Sequence, residues 1–474
     1  MKIKNKLILL ACFVFLMIGL SYTIFKTNNV KRVESSKINS MLGFKPSFIK
    51  QGNESKYRIN LTMNTNGVFH IESTIKIKNT SPDAWNELVF YFIPNMFTRK
   101  NAPQLEYPST INFKKVKINE KNVSFKLDED TLKVSLSSKI QPKKETVVHF
   151  SYDFTLPEKG IRLTKNGDNY FLAQFYPMLA TYRNHKWNKE KYQFRGESYH
   201  TGFSDFKITY DIPKEFTITS TSQNDEYPSE NRGSFEINNV KEVFISILKK
   251  PKFVLKKENN VSIRVFGMEN DIELYKEISD VAQDALSFFQ QNIGPYPFKQ
   301  LDIVLGEMGM EYPGIITAGS IYNSQQVSSE ALKNMVVHEI AHQWFYAIIS
   351  NDPFNDAWLD EGFANFAESL YYFSSTKEKV PYNLIKRPSK ELVVNLPIDE
   401  YRNNQSSFIY GKSMNMLWKL FEKRGGINEA KEFLKTYYRL YKFKELNTQE
   451  FVRFTKAYFN LKDNSDFEGW LKLD

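Results

Sequence analysis

Residues 338–342 read His-Glu-Ile-Ala-His, and residues 358–364 read Trp-Leu-Asp-Glu-Gly-Phe-Ala. The first stretch lies inside Val336–Ile349, which contains no glycine or proline, so the pattern predicts a helix over 329–349. On a helix, positions i and i+4 share a face, and both imidazoles can reach one metal ion. Glu339 follows the first histidine and is placed to touch a water on that metal. Two imidazoles and a carboxylate suit zinc with one position left open, and zinc draws a water's pKa toward neutrality. Glu361 falls after an 18-residue gap on a second predicted helix, 357–373, and is the expected third ligand. Glu368, seven residues later, shares its face and can accept a hydrogen bond from a ligand imidazole. The expected centre is one zinc ion per chain on His338, His342 and Glu361, with Glu339 as the catalytic carboxylate.

Outward from this pair of helices the pattern changes character. Helices are expected at 272–292, 410–423, 428–443 and 447–459, with a strand at 301–305 and a break at Gly425-Gly426. Before residue 258 the signals are strands. Val148, Phe150, Tyr152 and Phe154 alternate with polar residues, as do Phe206, Ile208, Tyr210 and Ile212, and Leu132, Val134 and Leu136. Period-two alternation gives one buried and one wet face, so 55–257 reads as an antiparallel β domain and 258–474 as an α+β zinc domain.

The N-terminus carries Lys2, Lys4 and Lys6 in a basic segment, 1–6, ahead of an apolar run, 7–25. At about 1.5 Å per residue that run can cross a hydrocarbon core of about 30 Å. It is longer than a secretory h-region and ends in a poor cleavage site. The expectation is a single-pass cell-membrane anchor with the catalytic part outside the cytoplasm, followed by a linker, 26–54. The alternative is secretion after signal cleavage. Cys12, the single cysteine, lies inside the run and leaves the rest of the chain without an intramolecular disulfide or thiolate metal site. Lipidation at Cys12 is disfavoured because the apolar run continues far past it. Net charge is +10, but 54 acidic residues accompany 64 basic ones with no basic block, so no nucleic-acid partner is expected.

The zinc pattern and its surroundings resemble the aminopeptidase N family of gluzincin zinc metallopeptidases. Gly309-Met310-Glu311-Tyr312-Pro313 is similar to that family's exopeptidase segment, and Tyr410-Gly411-Lys412-Ser413 to its tyrosine motif. Gln174-Phe175-Tyr176-Pro177 is similar to its substrate-facing glutamine segment, and Phe467-Glu468-Gly469-Trp470-Leu471 to the last helix of its catalytic domain. The resemblance covers roughly residues 55–474 and implies a thermolysin-like catalytic domain in a short form lacking the C-terminal helical domain, with a more open cleft. It implies that Glu311 binds the α-amino group of a peptide with a free N-terminus, with Gly309 and Met310 beside it. Tyr410 would donate its hydroxyl to the developing oxyanion, and Gln174 would line the first side-chain pocket. Two departures stand out. Tyr312 replaces the family's asparagine, and Tyr176 stands where a second acidic residue often helps hold the amine. The implied activity is release of N-terminal residues. The alternatives are an endopeptidase and a non-catalytic zinc-containing binding protein, and the intact Glu339 argues against the second.

Overall fold

A computed structural model describes residues 41, 43–194, 196–320, 327–376, 379–380 and 392–473. The apolar run at 7–25 lies outside these residues, and among them no helix is long and apolar enough to cross a membrane.

The expected alternation builds a seven-stranded sheet in the order Arg232–Val240, Ser204–Asp211, Asn53–Met63, Val68–Asn79, Glu145–Thr155, Ile111–Ile118, Lys121–Asn122. Along Asn53–Met63 every second side chain, including Tyr57, Ile59 and Leu61, is buried, and the residues between are exposed. Val148, Phe150, Tyr152 and Phe154 all face the core. The sheet is antiparallel except where Asn53–Met63 runs parallel to Ser204–Asp211, pairing Ile59 with Ile208. Two further four-stranded sheets, one centred on Ile245–Lys249 and Asn169–Leu172, the other on Trp85–Tyr91 and Thr131–Ile140, and a two-stranded sheet of Thr181–Arg183 and Lys186–Asn188 belong to this β-rich part.

The following domain has a mixed sheet in the order Lys252–Glu258, Val261–Gly267, Gln300–Leu305, Ile315–Ala318. The first of these strands, which the sequence reading assigns to the β domain, pairs with Val261–Gly267 and belongs to this sheet. Six helices follow the pattern closely: α1 Ile272–Asn292, α2 Ser329–Ala341, α3 Trp358–Ser375, α4 Ser413–Glu422, α5 Gly426–Tyr441 and α6 Thr448–Phe459. Side-chain caps start two of them, Asp271 accepting from Leu274 N at 3.1 Å and Ser328 from Ala331 N at 3.2 Å. Arg183 of the β-rich part donates to Glu445 at 2.7 Å, tying the two parts together through buried charge.

Three expectations change. The helix over 329–349 stops at Ala341, and the chain turns so that Phe345 O faces back toward His342, reaching a short strand at Ile349–Ser350. The helix expected from 410 begins at Ser413, preceded by a π-helical turn over Ser406–Lys412. Around the last motif only the single 3₁₀ turn Ser465–Phe467 forms, and Trp470 packs edge-on against Trp358 with centroids 5.4 Å apart.

The described residues divide into two compact units, one of which combines residues 41 and 43–47 with Gln449–Glu468. Within it the described end of the expected linker packs on a helix: Ser47 N donates to Glu450 at 2.8 Å, and the rings of Phe44 and Phe454 lie 6.2 Å apart.

Candidate active site

α2 delivers His338 and Glu339, and His342 caps its end with φ −61° and ψ −19°, still one turn beyond His338. The i, i+4 geometry therefore survives the early helix end. His342 Nδ1 lies 3.0 Å from Phe345 O, and a carbonyl can only accept, so this nitrogen carries the proton and Nε2 carries a lone pair. That lone pair faces His338 Nε2 at 3.1 Å and Glu361 Oε2 at 3.1 Å. His338 Nε2 is 3.4 Å from the same carboxylate oxygen. On its other side, His338 Nδ1 is 3.3 Å from Glu368 Oε2, the geometry expected of a carboxylate that orients a ligand imidazole.

The ligand atoms of His338, His342 and Glu361 lie within 4.8 Å of one another, the single such cluster among the described residues. Imidazole lone pairs and a carboxylate oxygen this close repel unless a cation or a proton sits among them. A tetrahedral zinc with bonds of about 2.0–2.1 Å separates its donors by roughly 3.3–3.4 Å, so the set fits that ion. Burial opposes charge on Glu361, but His342 and then His338 overcome it and hold the carboxyl well below the usual range.

Glu339 points into the same space. It is 6 % exposed, and its Oε2 has no hydrogen-bond partner. Burial raises its carboxyl to about 7, against the opposing pull of His338 and His342. Gly309 leaves room for it: a Cβ there would fall 2.4 Å from Glu339 Oε1, the far end of that side chain.

The segment carrying Glu311 runs along the edge of the mixed sheet. Met310 and Thr317 exchange backbone hydrogen bonds at 3.2 and 2.9 Å. Tyr312, the departure from the family pattern, stacks on Phe244 with ring centroids 4.2 Å apart, inside a cluster that includes Met310 and Ile315. Glu311 is buried, and burial followed by the charges of Glu197, Glu339 and Glu361 pushes its carboxyl well above the usual range.

Tyr410 sits in the π-helical turn, a local widening often found at functional sites. Its hydroxyl donates to Glu361 Oε1, and its ring lies nearly parallel to His338 at 6.2 Å. Gln174 has φ 54° and is fully buried, and neither its amide oxygen nor its nitrogen has a partner. That backbone lies in the sparsely populated left-handed region, and a buried amide without partners is costly. Tyr176 turns into an aromatic core with Tyr57 and Phe206, and its hydroxyl accepts from Val243 N at 3.2 Å.

Several residues of the site belong to none of the motifs. Gln343 bonds the loop that follows Glu311, and Arg162 lies against Met310 with Nε 3.2 Å from its sulfur. Tyr346, at φ 153°, donates its hydroxyl to the buried Glu242, which also accepts from Tyr199 at 2.9 Å. Gln343 directly follows the HExxH stretch, whereas the others depend on contacts across the fold that no spacing announces.

Residues 278–470 match the model described as the Peptidase family M1 domain. The fold agrees across most of the molecule. The M1 zinc metallopeptidase from Deinococcus radiodurans superposes with a TM-score of 0.60 at 14% identity, covering 87% of this chain and 92% of that one. A mutant of it bound to a Tyr-Ser-Ala substrate gives 0.58 at 14% identity, covering 91% and 98%. Among curated proteins, leukotriene A-4 hydrolase of Xenopus laevis is 25% identical over 208 residues, 39% of this chain and 34% of that protein. Aminopeptidase N of Oryctolagus cuniculus is 34% identical over 125 residues, 24% and 13% of the two chains. The matched stretches thus span about a third or less of these relatives. The resemblance expected from the sequence holds, and the β-rich part followed by an α/β catalytic region is the architecture of these structural neighbours.

Proposed function

We propose that the chain is a zinc aminopeptidase that removes N-terminal residues from peptides, with one zinc ion held by His338, His342 and Glu361 in a thermolysin-like domain. The observation that carries this reading is the convergence of two imidazole Nε2 atoms and a carboxylate beside the unpartnered Oε2 of Glu339. The relatives named aminopeptidase and the structural neighbour bound to a tripeptide substrate support it. Zinc, when bound, supplies a Lewis acid for the scissile carbonyl and makes water a better nucleophile at neutral pH.

The chain's own groups do the rest. Glu339 takes the proton of the attacking water and passes it to the leaving amine, a role suited to a carboxyl near 7 that can both accept and release a proton at neutral pH. Tyr410, whose hydroxyl rests on Glu361, turns its proton toward the carbonyl oxygen as that oxygen gains charge. Glu368 keeps the ring of His338 oriented. Glu311 receives the free α-ammonium, Gly309 and Met310 present the edge backbone to the peptide, and Gln174 offers its amide to the first residue.

The run at 7–25 is a single-pass membrane anchor in this reading, with the catalytic part outside the cytoplasm. Removing residues 1–25 should release active enzyme from the membrane fraction, and an inactive or insoluble product would count against a mere anchor. The activity itself is tested by digesting a peptide library with zinc-loaded protein and reading the cut bonds by mass spectrometry. Sequential loss of N-terminal residues is the expected result, and internal cuts alone would make it an endopeptidase.

A further inference from the structure

Glu197 lies in the coil between the strands Lys186–Asn188 and Ser204–Asp211, is 7 % exposed, and belongs to no motif. Its Oε1 accepts from the hydroxyl of Tyr199 at 3.0 Å, while Oε2 is buried with no partner. Arg162 holds this coil against the exopeptidase segment. Its Nη2 donates to Gly196 O at 3.3 Å and stands 4.0 Å from Glu197 Oε1, while its Nε meets Met310 Sδ at 3.2 Å. One guanidinium thus brings residues 196–197 beside residue 310, and Glu311 is the next residue. Gly196 allows the close passage: it has φ 71°, and a Cβ there would fall 2.3 Å from Ile398 Cδ1.

The charges do not balance. Among the described residues, the two buried carboxyl groups of Glu197 and Glu311 have the one guanidinium of Arg162 beside them, and Glu197 acts on Glu311 more strongly than Glu339 or Glu361 does. Glu311 accepts no side-chain hydrogen bond from a described residue. Two buried carboxyl groups beside one guanidinium must hold a proton or accept a cation from outside, and a substrate ammonium can take that proton's place. An ammonium with three donors suits two carboxylates that each have free oxygen lone pairs.

We propose that Glu197 is the second carboxylate of the amine site, closing the end of the cleft and sharing with Glu311 the free α-ammonium of the substrate. It replaces an acid that the sequence does not have at Tyr176, whose side chain is committed to the core. The proposal rests on the aminopeptidase reading and adds to it a residue from a different segment of the β-rich part.

The test is Glu197→Gln, in which the amide keeps an oxygen for Tyr199 but loses the charge. With zinc content and melting temperature matching wild type, KM for a free tripeptide should rise about 10-fold or more, with kcat changed much less, as for a binding contact to a charged group. The ratio of kcat/KM for free over N-acetylated tripeptide should fall by the same factor. Glu197→Asp, which keeps the charge for Arg162 but withdraws Oε2 by a methylene, should move KM in the same direction and serves if the amide variant does not fold. A folded Glu197→Gln or Glu197→Asp protein whose KM stays within about twofold of wild type overturns the role, since a partner of Arg162 and Tyr199 alone has no reason to discriminate the N-terminus. Wild type run alongside separates the two claims. If it cuts blocked and free peptides equally, the aminopeptidase reading falls and takes this one with it. If it discriminates while the variant matches it, only Glu197 is ruled out.

Discussion

Gln343 clamps the loop of Tyr312 to the metal helix: its Nε2 donates to Tyr312 O at 3.1 Å, and its Oε1 accepts from Gly314 N at 2.9 Å. Gln343 directly follows His342, so the side-chain amide ties the position of Glu311 to that of the zinc ligands. Gln343, Tyr312 and the hydrogen bonds between Gln343 and this loop are buried. Gln343→Ala leaves a carbonyl and an amide unsatisfied, at about 1–3 kcal/mol for each buried group. The expected outcome is a lower melting temperature together with a raised KM for free peptides. A variant with unchanged melting and unchanged KM would mean that the loop is held by Phe244 and its neighbours alone.

Zinc affinity should grade with distance from the ion. Glu361→Ala removes one of three protein ligands and should leave the dialysed protein with little zinc. Glu368→Ala removes only the carboxylate behind His338 Nδ1 and should weaken zinc by about 10–100-fold. Metal analysis across a chelator series measures both, and a Glu368 variant that loses zinc more readily than the Glu361 variant would invert the assignment.

Glu339→Gln should keep zinc and lose turnover by about 10²–10⁴-fold or more, because the amide cannot carry the proton. Loss of the metal along with activity would show that Glu339 supports the site rather than the chemistry.

Glu242 carries a pH dependence of stability that is separate from the metal centre. Burial first, and then Glu197, raises its carboxyl from 4.5 to about 7, with Tyr346 and Tyr199 opposing as donors. The folded state therefore holds this proton more tightly than the unfolded chain does. Its share of stability is full below about 4.5 and is lost as pH rises toward 7. Glu242→Gln keeps an acceptor for both tyrosines and has no charge to bury. Its melting temperature should gain on wild type as pH rises through that window, with an advantage of about 1–3 kcal/mol above it. A constant difference between pH 4 and pH 8 would contradict this.

The cluster of His338, His342 and Glu361, which could hold a metal ion, was legible in the sequence because its geometry is local. His338 and His342 are one turn apart on one helix, and Glu361 announces itself by a second helix of matching character. The strands were legible for the same reason, since alternation along Glu145–Thr155 or Asn53–Met63 is a property of each strand alone. Where a tertiary contact decides, the pattern was silent or misleading. The apolar residues after His342 look helical, but the chain turns there and brings Phe345 O back onto His342 Nδ1. Lys252–Glu258 alternates like its predecessors, yet its partner strand lies in the next domain. Glu197 and Arg162 meet the exopeptidase segment from positions more than a hundred residues away, held by Met310 and Gly196 rather than by any spacing. Tyr176, read as a missing carboxylate, left unseen the acid that another segment supplies beside Glu311.

The proposed zinc aminopeptidase has to recognise a free N-terminus. The most direct measurement is kcat/KM of the zinc-loaded protein for one tripeptide with its α-amine free and acetylated. A charge-assisted contact from a buried carboxylate to the ammonium contributes about 1.5–3 kcal/mol, so the free peptide should be preferred by at least about 10-fold and lose its first residue. Equal rates on both, with cleavage at internal bonds, would contradict the account and leave only a zinc endopeptidase.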